Sequence, residues 1–375
     1  MQKTLKPSHR AIALLLLSSL AFGQHSRNKK REVPEWNVKP QWVHADEDFL
    51  ASDALRGRGS MTNDELLAAT YIGSQFESFG IKPAAPDGSY VEVIEVPASA
   101  LRPRSKAGTP SNSQPDDEAH ATQKTEPAPT SPDVSGSQAP PPSPPEAPLH
   151  TYNAIGILHG SGPHADEQAI LLTAHLDHLG IRKPVNGDDI YNGADDDASG
   201  VTAVLELARA LAAGPPLKRT VVFACFGAEE TGKAFGARYF LDHPPVPLTS
   251  IVANLEFEMI GRADPKVKPD ELWLTGWERS NLGPELAKHG AKLVADPHPE
   301  QHFFRRSDNI ALAKRGVVAQ TVSSFGLHPQ YHKPDDDIAH LDFDHLTQSI
   351  QSMIEPVRWL ANSDFKPEWK AGGKP

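Results

Sequence analysis

The chain has 375 residues, 38% hydrophobic and 23% charged, which suits one large domain with an appendage and is too much for a peptide module. A formal net charge of −11 argues against a nucleic-acid partner, which needs clustered Lys and Arg, and permits a site that gathers carboxylates around cations. The single cysteine, Cys225, excludes an intrachain disulfide framework and a Cys-rich zinc module.

Residues 1–23 read as a signal peptide. Lys3, Lys6 and Arg10 form a positive start, residues 11–22 a short apolar run, and Ala21-Phe22-Gly23 places small residues where a signal peptidase reads, with cleavage expected before Gln24. The run is too short to span a bilayer comfortably, and no cysteine follows it to carry a lipid. Cleavage would take the charge to −11 − 3 = −14. The expectation is an exported protein, periplasmic or extracellular, with no membrane association after processing. Its oligomeric state is not legible.

Residues 24–100 form the first part of the folded domain. Thr62-Asn63-Asp64-Glu65 is a capping box; Ala68, Ile72, Phe76 and Phe79 mark one face of the helix it opens, and Gly80 ends it. Tyr90 to Val96 alternates as a strand does. Between Leu101 and His150 fall twelve of the 35 prolines and no Phe, Trp or Tyr, so 101–150 is expected to be a disordered Pro/Ser-rich insert, a linker or spacer.

The core, 151–365, alternates strands and helices. Strands are expected at 153–158, 169–174, 220–226, 250–260, 271–275 and 317–322. Helices are expected at 199–213, stopped by Gly214-Pro215-Pro216, and from a cap at Asp344 through Leu346, Ile350, Met353, Ile354, Val357 and Leu360. Residues 366–375 read as a tail. Short buried strands alternating with helices imply an α/β fold, with a mainly parallel or mixed central sheet covered on both faces. Polar sites of such folds collect at the carboxyl ends of strands.

Five segments put acids and histidines there. In Thr173-Ala174-His175-Leu176-Asp177 an apolar strand leads into a histidine with a carboxylate two positions on, which suits a ligating imidazole held by its neighbour or a loop histidine beside a surface acid. Asp195-Asp196-Asp197 before a helix is costly unless capped, hydrated or neutralised by a cation. The apolar strand 220–226 delivers Glu229 and Glu230, one able to bind a metal while the other faces a water. Glu256 and Glu258 fall on one face of an apolar strand and need partners, Arg262 for one and a metal for the other. Tyr331-His332 lies in a loop. For His298 and His302, in a polar stretch, plain solvation is expected, and Cys225 is expected to be a core residue. Together the segments form a kit for two adjacent divalent cations, and zinc accepts both imidazole and carboxylate.

These segments, in this order, resemble zinc metallopeptidase family 28, the co-catalytic di-zinc aminopeptidases of the aminopeptidase S and aminopeptidase Y type. The residues that carry the resemblance are Ala174-His175-Leu176-Asp177-His178-Leu179-Gly180, Gly193 to Gly200, Glu229-Glu230, Phe257 to Arg262 and Tyr331-His332. It covers roughly residues 150 to 360, with a looser match upstream to Asp46. The resemblance implies a zinc exopeptidase fold and two Zn2+. His175 and Glu258 would hold one ion, Glu230 and His332 the other, and Asp196 would bridge. Glu229 would be the general base acting on a zinc-bridging hydroxide, Asp177 would orient His175, and Tyr331 would donate to the tetrahedral oxyanion. Two positions depart from the family. It usually has Asp where Glu258 stands, which makes Glu256 a rival ligand. It also usually has His at Asn309, although that is not a zinc-ligand position.

The implied function is a secreted aminopeptidase acting on peptides. A glutaminyl-peptide cyclase or a carboxypeptidase on the same fold, or a non-catalytic binding homologue, are the alternatives. Against the cyclase, which uses a single zinc, stands the intact His175; against the binding homologue, that no ligand is lost. The sequence carries no Gly-x-Ser-x-Gly elbow and no His-Glu-x-x-His motif, which argues against a serine hydrolase and a single-zinc protease. Side-chain preference is not legible.

Overall fold

The computed structural model describes residues 36–101 and 148–375. The expected signal peptide and residues 102–147 of the expected insert lie outside the described residues.

The chain enters through helix α1 (Pro40–Leu50) and helix α2 (Asn63–Ser78). Thr62 caps α2 as the sequence predicts, its hydroxyl accepting from the amides of Asp64 and Glu65. Glu65 does not complete the box on Thr62: its carboxylate accepts from the Met61 amide at 2.7 Å and turns inward to Thr151 and Ala228. Ala68, Ile72 and Phe76 are buried on one face, and Gly80 leaves the helix with φ of +79°. Strands β1 (Lys82–Pro83) and β2 (Val91–Val96) and the short helix α3 (Ala98–Leu101) follow. Strand β3 (Leu149–Leu158) begins at Leu149, inside the stretch read as insert, because Leu149 and His150 pair with Val96 and Glu95.

Next come β4 (Ala169–His175), a hairpin of β5 (Gly180–Val185) and β6 (Asp188–Tyr191), α4 (Gly200–Ala213), β7 (Thr220–Phe226), α5 (Phe235–Asp242) and β8 (Ile251–Phe257). Strand β9 (Leu272–Leu274), α6 (Leu282–Lys288), β10 (Leu293–Ala295), α7 (Asn309–Lys314), β11 (Ala319–Ser323) and α8 (Phe343–Asn362) complete the fold. The main sheet runs β1-β3-β7-β4-β8-β11-β9-β10, with β2 also on β3. Its centre is parallel: β7 with β4, β4 with β8, β8 with β11. Antiparallel pairing enters at β3 with β7 and at β9 with β11, giving a mixed sheet.

Every residue of β4 and β7 is buried. Successive side chains alternate between faces, so Val221, Phe223 and Cys225 join α1, α2, α4 and α8 in one core, while Val222, Ala224 and Phe226 join α5 and α7 in the other. Each buried Phe, Leu or Ile is worth about 1.5–3 kcal/mol over an exposed one, and Phe223 meets Phe76 of α2 at 5.9 Å. Cys225 is fully buried, which pushes its thiol well above the usual range and makes it core, as predicted. The cap of α8 is Asp342, whose carboxylate accepts from the His345 amide at 3.0 Å, and not Asp344. Residues 366–375 are not free: Trp369 bridges to Ser280, and its indole donates to Gly316. Among the described residues no helix is long and apolar enough to cross a membrane.

Candidate metal centre

Because β7, β4, β8 and β11 are parallel, their carboxyl ends open onto one edge. His175 ends β4, Glu229 and Glu230 follow β7, Glu258 follows β8, and the loop after β11 carries Tyr331 and His332. The turn 194–199 before α4 brings Asp196 to the same edge, and the Asp196–Asp197 peptide is cis.

Asp196 sits at the centre. One carboxylate oxygen lies 3.1 Å from Nε2 of His175, and the other 3.2 Å from Nε2 of His332. His332 is also 3.4 Å from Glu230. Two triads arise, His175–Asp196–Glu258 and His178–Asp196–Glu230, each with its ligand atoms within 4.8 Å of one another. All five residues expected to hold metal thus converge, with Asp196 shared.

His178 is an addition that the sequence reading missed. Its Nδ1 lies 2.8 Å from Oε1 of Glu230 without the alignment of a hydrogen bond, and both its ring nitrogens, like that oxygen, are buried and unpartnered. Buried polar atoms are ordinarily satisfied, so this set fits a cation better than an empty core. Imidazoles and carboxylates in fours and fives are zinc's donors. The only signal in sequence was a second histidine three positions after His175.

The electrostatics follow from this crowding. Burial works against a charged His332, yet its hydrogen bonds to Asp196 and Glu230 lift it to about 10. Burial and Asp196 push Glu230 upward, but His178 and His332 outweigh them and hold it at about 2. Desolvation dominates at Glu258, pushed up to about 8, and at Glu229, raised well above its ordinary value.

The three aspartates have separate tasks. Asp195 pairs with His328 at 2.9 Å and accepts from the Gly261 amide at 2.7 Å. Fully buried Asp197 accepts from the amides of His175, Gly200 and Met259 at 3.2, 3.0 and 3.1 Å, tying three segments together. A Cβ on Gly200 would lie 2.2 Å from the Phe257 carbonyl oxygen, so the helix starts there only with glycine. Asp336, not singled out from sequence, accepts from the amides of Asp195 and Asp196 at 3.1 Å each and cradles the turn.

Asp177 touches His175 chiefly through its backbone: Nδ1 meets the Asp177 carbonyl at 3.1 Å, and the carboxylate is 3.9 Å away. That carboxylate accepts instead from the Ser60 hydroxyl and from the amides of Glu229 and Glu230 at 2.5, 3.0 and 3.3 Å. It therefore positions both glutamates. Tyr331 stacks on His332 with centroids 3.8 Å apart, its hydroxyl 3.5 Å from Arg306.

Glu256 and Glu258 do not share a face. β8 ends at Phe257, and Met259 turns left-handed with φ of +52°, so Glu258 leaves the strand towards the triad. Glu256 stays buried, accepting from the Asn309 amide and the hydroxyls of Ser307 and Thr321 at 2.6, 3.0 and 3.3 Å. Arg262 serves neither; it bonds Gln330. His298 is buried, not solvated: Asp264 lies 2.8 Å from its Nε2 and also accepts from the Trp273 indole at 2.9 Å. Next to Glu258 opens a small pocket of about 30 Å³, walled by Met259, Trp273, Phe303, Phe325 and Tyr331 with Arg306 beside them.

The chain is 26% identical over 226 residues to aminopeptidase YwaD of Bacillus subtilis, covering 58% of this chain and 46% of that protein. To leucine aminopeptidase 1 of Neurospora crassa it is 25% identical over 237 residues, covering 60% and 58%. It thus spans about half the length of these curated relatives. In fold it is similar to BSAP, a zinc aminopeptidase from Bacillus subtilis, with TM-score 0.59 and 19% identity over 90% of this chain and 97% of that one. The aminopeptidase from Aneurinibacillus sp. strain AM-1 gives TM-score 0.58 and 16% identity over 87% and 95%. The sequence model of peptidase family M28 matches residues 153–357, a span that holds every residue of both triads, and the chain belongs to that family.

Proposed function

We propose that this protein is a zinc-dependent aminopeptidase that removes N-terminal residues from peptides. One observation carries the reading: a single aspartate, Asp196, is common to two triads of histidine and carboxylate, with a further glutamate, Glu229, beside them. His175, Asp196 and Glu258 would hold one cation; Asp196, Glu230 and His332, with His178 adjacent, would hold the second. Zinc at such a site supplies Lewis acidity, polarising the scissile carbonyl and acidifying a water.

The chain's own residues do the rest. Glu229, desolvated and so more basic than a surface glutamate, takes the proton of the attacking water and returns it to the leaving amine. Asp177 holds the amides of both glutamates, so that Glu229 and Glu230 point to different tasks. The Tyr331 hydroxyl donates to the oxygen that gains charge as the carbonyl is attacked. The side chain of the released residue enters the aromatic pocket beside Glu258. Export is part of the proposal and rests on the character of residues 1–23.

The test is hydrolysis of aminoacyl-anilides with free and blocked amino termini. Activity on the free form only, lost with a chelator and restored by zinc, is expected. Glu229→Gln should keep zinc and lose about 10²- to 10⁴-fold in kcat. Full activity in that variant would remove Glu229 from the role.

A further inference from the structure

Arg58 has no part in the reading above, yet it is among the largest fully buried side chains of the protein. Its guanidinium donates to four carbonyls: Leu176 at 3.0 Å, Leu50 at 2.5 Å, Asn192 at 2.7 Å and Gly193 at 2.8 Å. Its own carbonyl accepts from the His178 amide at 3.1 Å. Leu176 lies between His175 and Asp177, and Gly193 opens the turn that presents Asp196. The chain around it is shaped for this approach. Gly57 has φ of +72°, and a Cβ there would lie 2.1 Å from the Tyr191 carbonyl oxygen.

We propose that Arg58 is a positioning residue for the paired centre. Its planar fork ties the segment after β4 to the turn before α4, and so sets the separation of His175 and Asp196. The proposal rests on the two-cation reading. Guanidinium presents five donors in a rigid fork, whereas lysine offers three on one atom. Lysine at this position keeps the charge and loses the simultaneous reach to four carbonyls. A merely structural staple would lower stability and leave cation affinity alone; a positioning residue lowers affinity out of proportion.

Arg219 provides the control. It is 2% exposed and donates to Gln168 and to the Leu360 carbonyl at 2.9 and 2.7 Å, at the opposite end of β7 from the centre. Full-length wild type, Arg58→Lys and Arg219→Lys are compared by zinc competition with a chromophoric chelator, by the visible spectrum of the cobalt-loaded protein, and by urea unfolding in excess chelator. Arg58→Lys should lose about 10- to 100-fold in zinc affinity, as when a ligand's supporting partner is removed, and its cobalt spectrum should change. Arg219→Lys should keep both at a similar loss of stability. Wild-type affinity and spectrum in Arg58→Lys would overturn the proposal. If that variant does not fold, Arg58→Gln, which keeps two donors on a single nitrogen and loses the fork, takes its place in the same assays. A several-fold loss of zinc affinity is then expected, and wild-type affinity overturns the proposal. A wild-type protein that takes up no cation defeats the two-cation reading instead.

Discussion

Asp197 gives the sharpest test of how the centre is assembled, because its three bonds bear on the stability of the fold even when no cation is bound. Its carboxylate satisfies three buried amides on three different segments, at 3.0 to 3.2 Å. Asp197→Ala strands all three. Each orphaned buried donor costs about 1–3 kcal/mol, so the gross loss is roughly 3–9 kcal/mol. Against this stands the relief of a desolvated carboxyl, whose pKa burial raises well above the usual range. A net loss of about 3–6 kcal/mol remains, a large share of a typical domain's 5–15 kcal/mol. Asp197→Asn keeps one oxygen for Gly200 and Met259 and turns its amino group against the His175 amide, costing about 1–3 kcal/mol. Urea unfolding of the full chain in excess chelator separates this from cation binding. A loss under 1 kcal/mol for the alanine variant, or a larger loss for asparagine than for alanine, would refute the reasoning.

Two more outcomes follow from the buried acids. Glu256→Gln should leave zinc stoichiometry unchanged and cost about 1–3 kcal/mol of stability, since its carboxylate is spent on Ser307, Asn309 and Thr321. Glu258→Gln should lower zinc uptake, and elemental analysis of both variants shows whether the two residues have been exchanged. Away from the centre, burial raises Asp46 from 3.8 to about 6, against the pull of Tyr71 and Arg209. The folded state then binds more protons than the unfolded one between those values, so this residue's contribution falls as pH rises from 3.8 to 6, by up to about 3 kcal/mol. Asp46→Asn should therefore gain on wild type by about 1–3 kcal/mol between pH 4 and pH 7 in paired urea titrations. A difference independent of pH would contradict the assignment.

The sheet was legible because its signal is local. Runs such as Ala169–Leu172 and Val221–Phe226 are apolar without break and short, which suits a strand covered on both faces. The order of acids and histidines at the strand ends was legible for the same reason: each follows its strand within a few residues. What stayed hidden depends on contacts distant in sequence. Arg58 looks like a surface arginine until Leu176 and Gly193, more than a hundred residues on, are folded over it. Asp336 reads as one of three acids in a loop and proves to hold the Asp196 amide. Glu256 and Glu258 could not be separated, because nothing local announces that the strand stops at Phe257. His298 seemed wet because its partner, Asp264, lies 34 positions away.

The centre draws on segments from His175 through His332, and the last of them follows β11, which pairs with β8. On the proposed reading this builds in latency. A nascent or partly threaded polypeptide carries the base and most of the ligands yet owns no complete set, so its hydrolytic power is withheld until assembly finishes. A nick anywhere in that stretch that lets the halves part dismantles the site as a whole, and leaves no cutting remnant.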